Sequence, residues 1–274
     1  MNGLYRDLAP ITSDAWAEID KEALRTFKTY LAARKLVDFT GPLGWSTSAI
    51  NLGRVQALSG RPVQQAEARL RRVQPLVEVR VPFELSRAEL DTIDRGSKNA
   101  DLQPLIDAAR HAALAEDHAV FNGYPAAGIQ GIGETAAGSA LTVTTDYHEY
   151  PTVVAEAIET LQTRGIDGPY AIALGPRCFT GLQRTFTSGG YPVVEHVRRL
   201  LDGPIVWAPA IDGAVVLSLR GGDFELSIGQ DFSIGYLSHD ATTVRLYIQE
   251  SFTFQPHTPE AAAVPLRYSA DESE

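Results

Sequence analysis

The sequence predicts an α+β protein, and three observations carry that expectation. Apolar residues recur at steps of three or four in some segments and of two in others, and the two kinds alternate along all 274 residues. Late in the chain, Val244, Leu246, Ile248, Phe252 and Phe254 share one parity, which places them on one face of a strand; glycines at 221, 222, 229 and 235 punctuate the run before it. Between Asp38 and Leu85 two long strand-like segments flank a polar turn at Ser59-Gly-Arg-Pro62, the pattern of a protruding arm.

The elements follow in order. From Thr12 a helix carries Trp16, Ile19, Ala23, Phe27, Tyr30 and Leu31 on one stripe, with Glu18/Lys21 and Glu22/Arg25 on its wet side. In the arm, Gly41-Pro42 and Gly44 mark turns, and Val77, Val79, Val81 and Phe83 alternate with Glu78 and Arg80 on the return. Arg61, Arg69, Arg71 and Arg72 cluster at the tip and read as solvated charge. Ser86-Arg-Ala-Glu89 matches a capping box opening a short helix that Gly96 stops. Pro104 opens an alanine-rich helix with Leu105, Ala109, Ala112, Ala113 and Val120 on its packing face, ending at Asn122-Gly123. Helices are expected over Pro151–Gly165 and Pro192–Leu201, a buried strand over Tyr170–Leu174, and two apolar strands within Ile205–Leu219. From Gln255 onward, three prolines and a closing Asp271-Glu-Ser-Glu274 predict a mobile exposed tail.

Composition narrows the function. The 24 Lys and Arg against 34 Asp and Glu give 24 − 34 = −10, which argues against wrapping nucleic acid or adhering to an anionic membrane. Cys178 is the only cysteine, so no intrachain disulfide forms. With neither a signal-peptide pattern nor an apolar run near the roughly 20 residues a bilayer requires, a soluble cytoplasmic protein is expected.

Chemical motifs are weak. The glycine-rich 128–135 lacks the Lys-Ser/Thr ending of a phosphate loop and reads as turns. Asp107, His111 and His118, with Glu116 and Asp117 beside them, sit at helical spacing but read as a solvated polar face rather than a metal site. His148-Glu149 lacks the second histidine of a zinc-protease helix, and Cys178 reads as a small buried residue rather than a nucleophile served by His196. Trp16, Trp45 and Trp207 read as core or interface anchors. No catalytic constellation emerges; the expectation is a structural protein with no catalytic residue, metal site or cofactor.

The opening Leu4-Tyr-Arg-Asp-Leu-Ala-Pro10, the central Asp94-Arg-Gly-Ser97, Gly168-Pro-Tyr170 and the late Gly229-Gln-Asp-Phe-Ser-Ile-Gly-Tyr236 resemble the encapsulins, bacterial proteins that assemble into protein-filled icosahedral compartments, over residues from about 3 to about 255. The resemblance implies the tailed-bacteriophage major capsid protein fold of the Hong Kong 97 type. It places a lumen-facing helical segment at 1–37, an extended β-arm at 38–85, a peripheral domain at 86–124 and 222–254, an axial domain at 125–221 and a flexible tail at 255–274. It implies self-assembly, with about sixty copies as the expected closed shell, around a cargo enzyme held by its C-terminal targeting peptide. The cargo would be a dye-decolourising peroxidase or a ferritin-like protein. The peptide site implied is Phe27, Leu31, Arg34, Leu36, Asp38, Phe232, Ile234 and Tyr236, with Arg34 and Asp38 at the rim, where Arg34 can change sign without leaving a cavity. A fivefold pore is implied at Thr185, Thr187, Ser188, Gly189, Gly190 and Tyr191, small and uncharged. Where some relatives stack a flavin on tryptophan this chain has Ala88, so a flavin-free shell is expected. The amphipathic N-terminal helix favours the compartment over a phage capsid protein; a bacteriocin-like or hydrolytic protein is the competing class.

Overall fold

The computed structural model describes residues 3–258 and 262–269. Helix α1 (Ser13–Tyr30) starts where the Thr12 hydroxyl accepts the Ala15 N–H at 3.2 Å, and it buries Ala15, Ile19, Ala23 and Phe27. Strand β1 (Asp38–Thr40) follows, then β2 (Ala49–Ala57), β3 (Arg69–Pro75) and β4 (Val77–Ser86). Helices α2 (Arg87–Asp94) and α3 (Gln103–Asn122) come next. Pro104 lies in the first turn of α3, and Gly123 at φ 91° ends it. The alanines at 108, 109, 112 and 113 on α3 let it approach α1, β4 and the long strands β9 (Phe224–His239) and β10 (Thr243–Pro256) closely. The order in this first sheet is β1-β9-β10-β4, with β1 parallel to β9 and the others antiparallel. The β9–β10 turn is closed by the Asp240 carboxylate, which accepts the Thr242 and Thr243 N–H groups and is thereby held well below the usual carboxylate range.

The second body contains α4 (Ile132–Thr135), β5 (Leu141–Val143), α5 (Tyr150–Thr163), β6 (Tyr170–Leu174), α6 (Pro176–Arg184), α7 (Val193–Leu201), β7 (Ile205–Trp207), β8 (Ala214–Ser218) and β11 (Ala263–Tyr268). Its sheet runs β5-β11-β8-β6-β7. Both faces of this sheet are covered. Tyr170, Ile172, Leu174, Val216, Val264 and Leu266 pack under α5, α6 and α7, while Ala171, Ala173, Val215, Leu217 and Ala263 share a core with Phe121, Phe252 and Phe254 of the first body. That is why β6 and β8 read as unbroken apolar runs.

Four expectations are corrected. The arm is shorter than 38–85: only β2 and β3 form the two-stranded ribbon, while β1 pairs with β9 and β4 pairs with β10 from Val77 to Ser86. Period-two alternation marks a strand without naming its partner. The described part of the tail does not stay exposed, because β11 inserts between β8 and β5, burying Ala262 through Leu266, while the closing Asp271-Glu-Ser-Glu274 lies outside the described residues. Pro265, which suggested coil, sits just ahead of the stretch Leu266–Tyr268 that pairs with β5, so its missing N–H is tolerated. The region 125–221 therefore needs this late strand to complete its sheet. The capping box at Ser86 does not form: Ser86 is the last residue of β4, its side chain caps nothing, and Glu89 instead accepts the Asp101 N–H at 2.9 Å. Helix α6, finally, lies where no helix was expected.

If β11 is integral, Leu266→Ala should destabilise the chain by about 2–5 kcal/mol, the range for emptying a fully buried leucine site. Denaturant unfolding of the variant measures this; a change within about 0.5 kcal/mol would mean the strand is peripheral.

Candidate functional site

A groove of about 570 Å³ opens between α1, the 3-10 turn Ala33–Lys35, β9 and the N-terminal segment. Its wall on α1 is Ala23, Leu24, Phe27, Lys28 and Leu31, residues one turn apart on one face. Its floor is Phe232 and Ile234. The Phe27 and Phe232 rings stack at 4.3 Å with 14° between planes. Phe232 reaches this position through a bulge: β9 and β10 lose register between the pairs Gln249↔Ser233 and Ser251↔Gln230, leaving Asp231 and Phe232 opposite Glu250. At the other wall the Leu4 carbonyl accepts the Tyr236 N–H at 2.8 Å, and Arg6 pairs with Asp20 at 2.7 Å while lying 3.9 Å over the Trp16 ring.

Arg34 lies beneath this floor. Its Nε and Nη2 donate to Glu116 at 2.9 and 2.6 Å, its Nη2 also to Glu250 at 2.5 Å, and its Nη1 contacts Asp231 at 2.9 Å. Its Cζ stands 4.9 Å from the Phe232 ring and 5.1 Å from Phe39. Glu116 is wholly buried and Glu250 nearly so. Burial opposes the guanidinium charge, but the surrounding carboxylates prevail and raise its pKa. Next to it, Asp117 accepts the Ala32 and Ala33 N–H groups at 2.8 and 3.0 Å; burial, against those two bonds, lifts its carboxyl to about 7.

Of the eight implied peptide-site residues, Phe27, Leu31, Arg34, Phe232 and Ile234 line one groove and three do not. Leu36 faces the core shared between the two bodies. Asp38 accepts the Gly222 N–H at 2.5 Å, and Tyr236 bonds His239 Nδ1 at 2.6 Å, both outside the groove. Arg34 is also no rim residue: its side chain is 17% exposed and it neutralises buried carboxylates, so a sign change there would strand them. Leu4, Leu24 and Lys28 were missed. Leu24 is 53% exposed, and its spacing from Phe27, Lys28 and Leu31 on one helix face was the available signal.

Glu116 and Asp117 do not lie on a solvated face; they point inward while His111 and His118 are exposed, and no group of three or more such ligands that could hold a metal ion occurs among the described residues. Cys178 is buried between the hydroxyls of Tyr150 and Tyr268, at 3.0 Å from each, and burial pushes its thiol up, away from reactivity. His196 stands edge-on to Tyr191 instead. The loop from Thr185 to Tyr191 joins α6 to α7 as a small self-closed tip. There Thr187 N–H donates to Tyr191 O and Gly190 N–H to Thr187 O, each at 2.8 Å, and Gly190 takes φ 77°. Ser188, Gly189 and Gly190 are exposed, and Arg199 lies 5.4 Å over the Tyr191 ring.

The family model described as an encapsulating protein for peroxidase matches residues 1–253. The chain belongs to that family, the encapsulin shell proteins. It is 56% identical over 272 residues to the type 1 encapsulin shell protein of Rhodospirillum rubrum, covering 97% of each chain. It is 49% identical over 262 residues to that of Mycobacterium tuberculosis, covering 96% of this chain and 98% of the relative. Among solved structures, the virus-like particle from Pyrococcus furiosus aligns with a TM-score of 0.64 at 14% identity, over 92% of this chain and 99% of that one. The capsid of Myoviridae phage XM1 aligns with a TM-score of 0.54 at 9% identity, over 85% and 90%. These two likenesses establish the capsid fold of this encapsulin.

Two arginines separate structural from surface pairing. Arg34→Ala should cost about 3–5 kcal/mol, because it leaves the buried Glu116 and Glu250 pair without its counter-charge, while Arg6→Ala should cost no more than about 1 kcal/mol. Chemical denaturation of both variants checks the contrast.

Proposed function

We propose that this encapsulin chain closes into a hollow icosahedral shell of about sixty copies in the bacterial cytoplasm and that the α1–β9 groove takes the C-terminal peptide of a cargo protein. The observation that carries self-assembly is the β2–β3 ribbon. Val55, Leu58, Leu70 and Val73 on it are 56%, 47%, 53% and 48% exposed, and none of them joins a hydrophobic core formed by the described residues. An isolated two-stranded ribbon is marginal in water, so a neighbouring subunit is the natural cover. The groove supports the second half of the proposal. It is apolar, open and lined by a stacked aromatic pair, the chemistry that suits an extended peptide with aliphatic side chains.

A peroxidase is the favoured cargo, in keeping with the family description, and a ferritin-like protein is the second candidate. Each aliphatic side chain buried in the groove contributes roughly 1.5–3 kcal/mol, so one peptide binds modestly and an oligomeric cargo with several tails is held far more firmly. The shell itself has no catalytic role in this account. The Thr185–Tyr191 tip is proposed to ring the fivefold pore, and Ala88, exposed on α2, offers a flavin no aromatic surface.

Leu24→Glu places a charge in the groove without touching the core. Co-produced with cargo, this variant should give intact particles that purify empty, and full loading would remove the groove from cargo capture. Leu70→Asp on the ribbon should shift the chain from particle to small species in size-exclusion chromatography.

A further inference from the structure

Two carboxylates from different elements meet one guanidinium at the bottom of the groove. Glu116 on α3 and Glu250 on β10 both contact Arg34 Nη2, at 2.6 and 2.5 Å, and neither side chain is more than 1% exposed. The charged groups facing this point are few: Arg34 and Lys35 from the turn after α1, Asp231 from β9, and Asp117 beside Glu116 on α3. Asp231, 42% exposed, already supplies Arg34 with a solvated counter-charge. If both buried glutamates were also ionised, three carboxylates would surround one guanidinium, two of them away from water. Burying an uncompensated charge costs several kcal/mol, and close carboxylate pairs avoid that by keeping one proton.

We infer that Glu116 and Glu250 are positioning residues for the groove: they hold one proton between them, present a single negative charge to Arg34, and through Arg34 fix Phe232 in its stack with Phe27. The balance is simple. The paired state is one carboxylic acid hydrogen-bonded to one carboxylate; on deprotonation the proton passes to water and two carboxylates remain against one another. Burial and the neighbouring Glu116 both act to raise the Glu250 carboxyl well above its ordinary value. A raised folded-state value means that the stabilising contribution is complete at acid pH and is lost as pH rises through that value. The groove floor is therefore firm at mildly acidic pH and loosens toward alkaline pH. The consequence for cargo rests on the groove being the peptide site; the proton count does not.

The test uses full-length assembled protein and the isosteric variants Glu116→Gln, Glu250→Gln and the double variant. Melting temperatures are recorded at one scan rate from about pH 5 to about pH 9. Each single variant replaces the shared proton with a permanent neutral donor, so it should match the parent at the acid end and exceed it by about 4 °C or more at the alkaline end. The double variant, with no buried anion for Arg34, should melt below both singles at every pH or fail to assemble. Asp117 adds a slope that Glu116 helps to set and Glu250 does not, so the comparison of Glu250→Gln with the parent isolates the pair. Binding of the dye anilinonaphthalene sulfonate reports the groove: it should rise with pH in the parent and stay flat in either single variant.

Single variants that both lose stability at the acid end, or that keep the parent's slope, would overturn the shared proton. Tolerance of only one of the two would place the proton on that residue alone and overturn the sharing. A stability pattern as expected with dye binding unchanged in the parent would overturn the positioning role. Cargo retained by Leu24→Glu particles would instead refute the peptide site and leave this inference standing.

Discussion

The Arg34 ion cluster is the constraint on which the first body of the fold depends. One guanidinium joins the turn after α1 to α3 through Glu116, to β10 through Glu250 and to β9 through Asp231. Asp117 holds the same turn by its backbone. A buried charge tolerates little displacement, because losing any partner leaves another group desolvated and unpaired. The cluster thus fixes where α1 crosses the sheet, and with it the spacing between Phe27 and Phe232. The apolar groove is a by-product of that spacing: α1 is pinned at its C-terminal end, while Leu24 and Lys28 are left at the edge of the cleft.

The second body follows a different logic. Its sheet has no solvated face, since alternate residues of β6 and β8 enter two separate cores, one beneath α5 and α7 and the other against β10 and α3. The two bodies are therefore joined by packing. At their junction the Arg220 guanidinium grips the Asp223 carboxylate at 2.8 and 2.9 Å, and Thr258 bonds the same carboxylate. Strand β11 leaves this junction and closes the second sheet. Among the described residues the β2–β3 ribbon and the groove present apolar side chains to solvent, and these carry the proposed shell contact and cargo contact.

Much of this was legible in the sequence. Thr12, Pro104, Gly96 and Gly123 marked helix ends because capping and left-handed geometry are local chemistry. Val244 through Phe254 revealed their face because strand alternation is local too. What escaped was set by distant partners. Val77–Leu85 alternates whether it pairs with β3 or with β10, and only the folded chain decides. Ala262–Leu266 is short, alanine-rich and carries a proline, so nothing local announced a central strand. Glu116 and Asp117 sit in an otherwise ordinary helical pattern, and the groups that satisfy them when buried are distant in sequence: Arg34, 82 residues from Glu116, and the Ala32 and Ala33 N–H groups for Asp117. Likewise the bulge at Asp231 and Phe232 exists only as a mismatch between two strands. The groove was found in part because Phe27, Leu31, Phe232 and Ile234 lie in segments that resemble the family's; Leu36, Asp38 and Tyr236 lie in those segments and face elsewhere.

The most direct measurement is an electron cryomicroscopy map of particles produced together with a cargo protein. The account predicts a closed icosahedral shell in which each β2–β3 ribbon lies on a neighbouring subunit, the α1–β9 groove opens to the lumen, and an extended peptide density rests on Phe27, Phe232 and Leu24. A shell whose grooves face outward, or lumen-facing grooves left empty while cargo density contacts another surface, would contradict it.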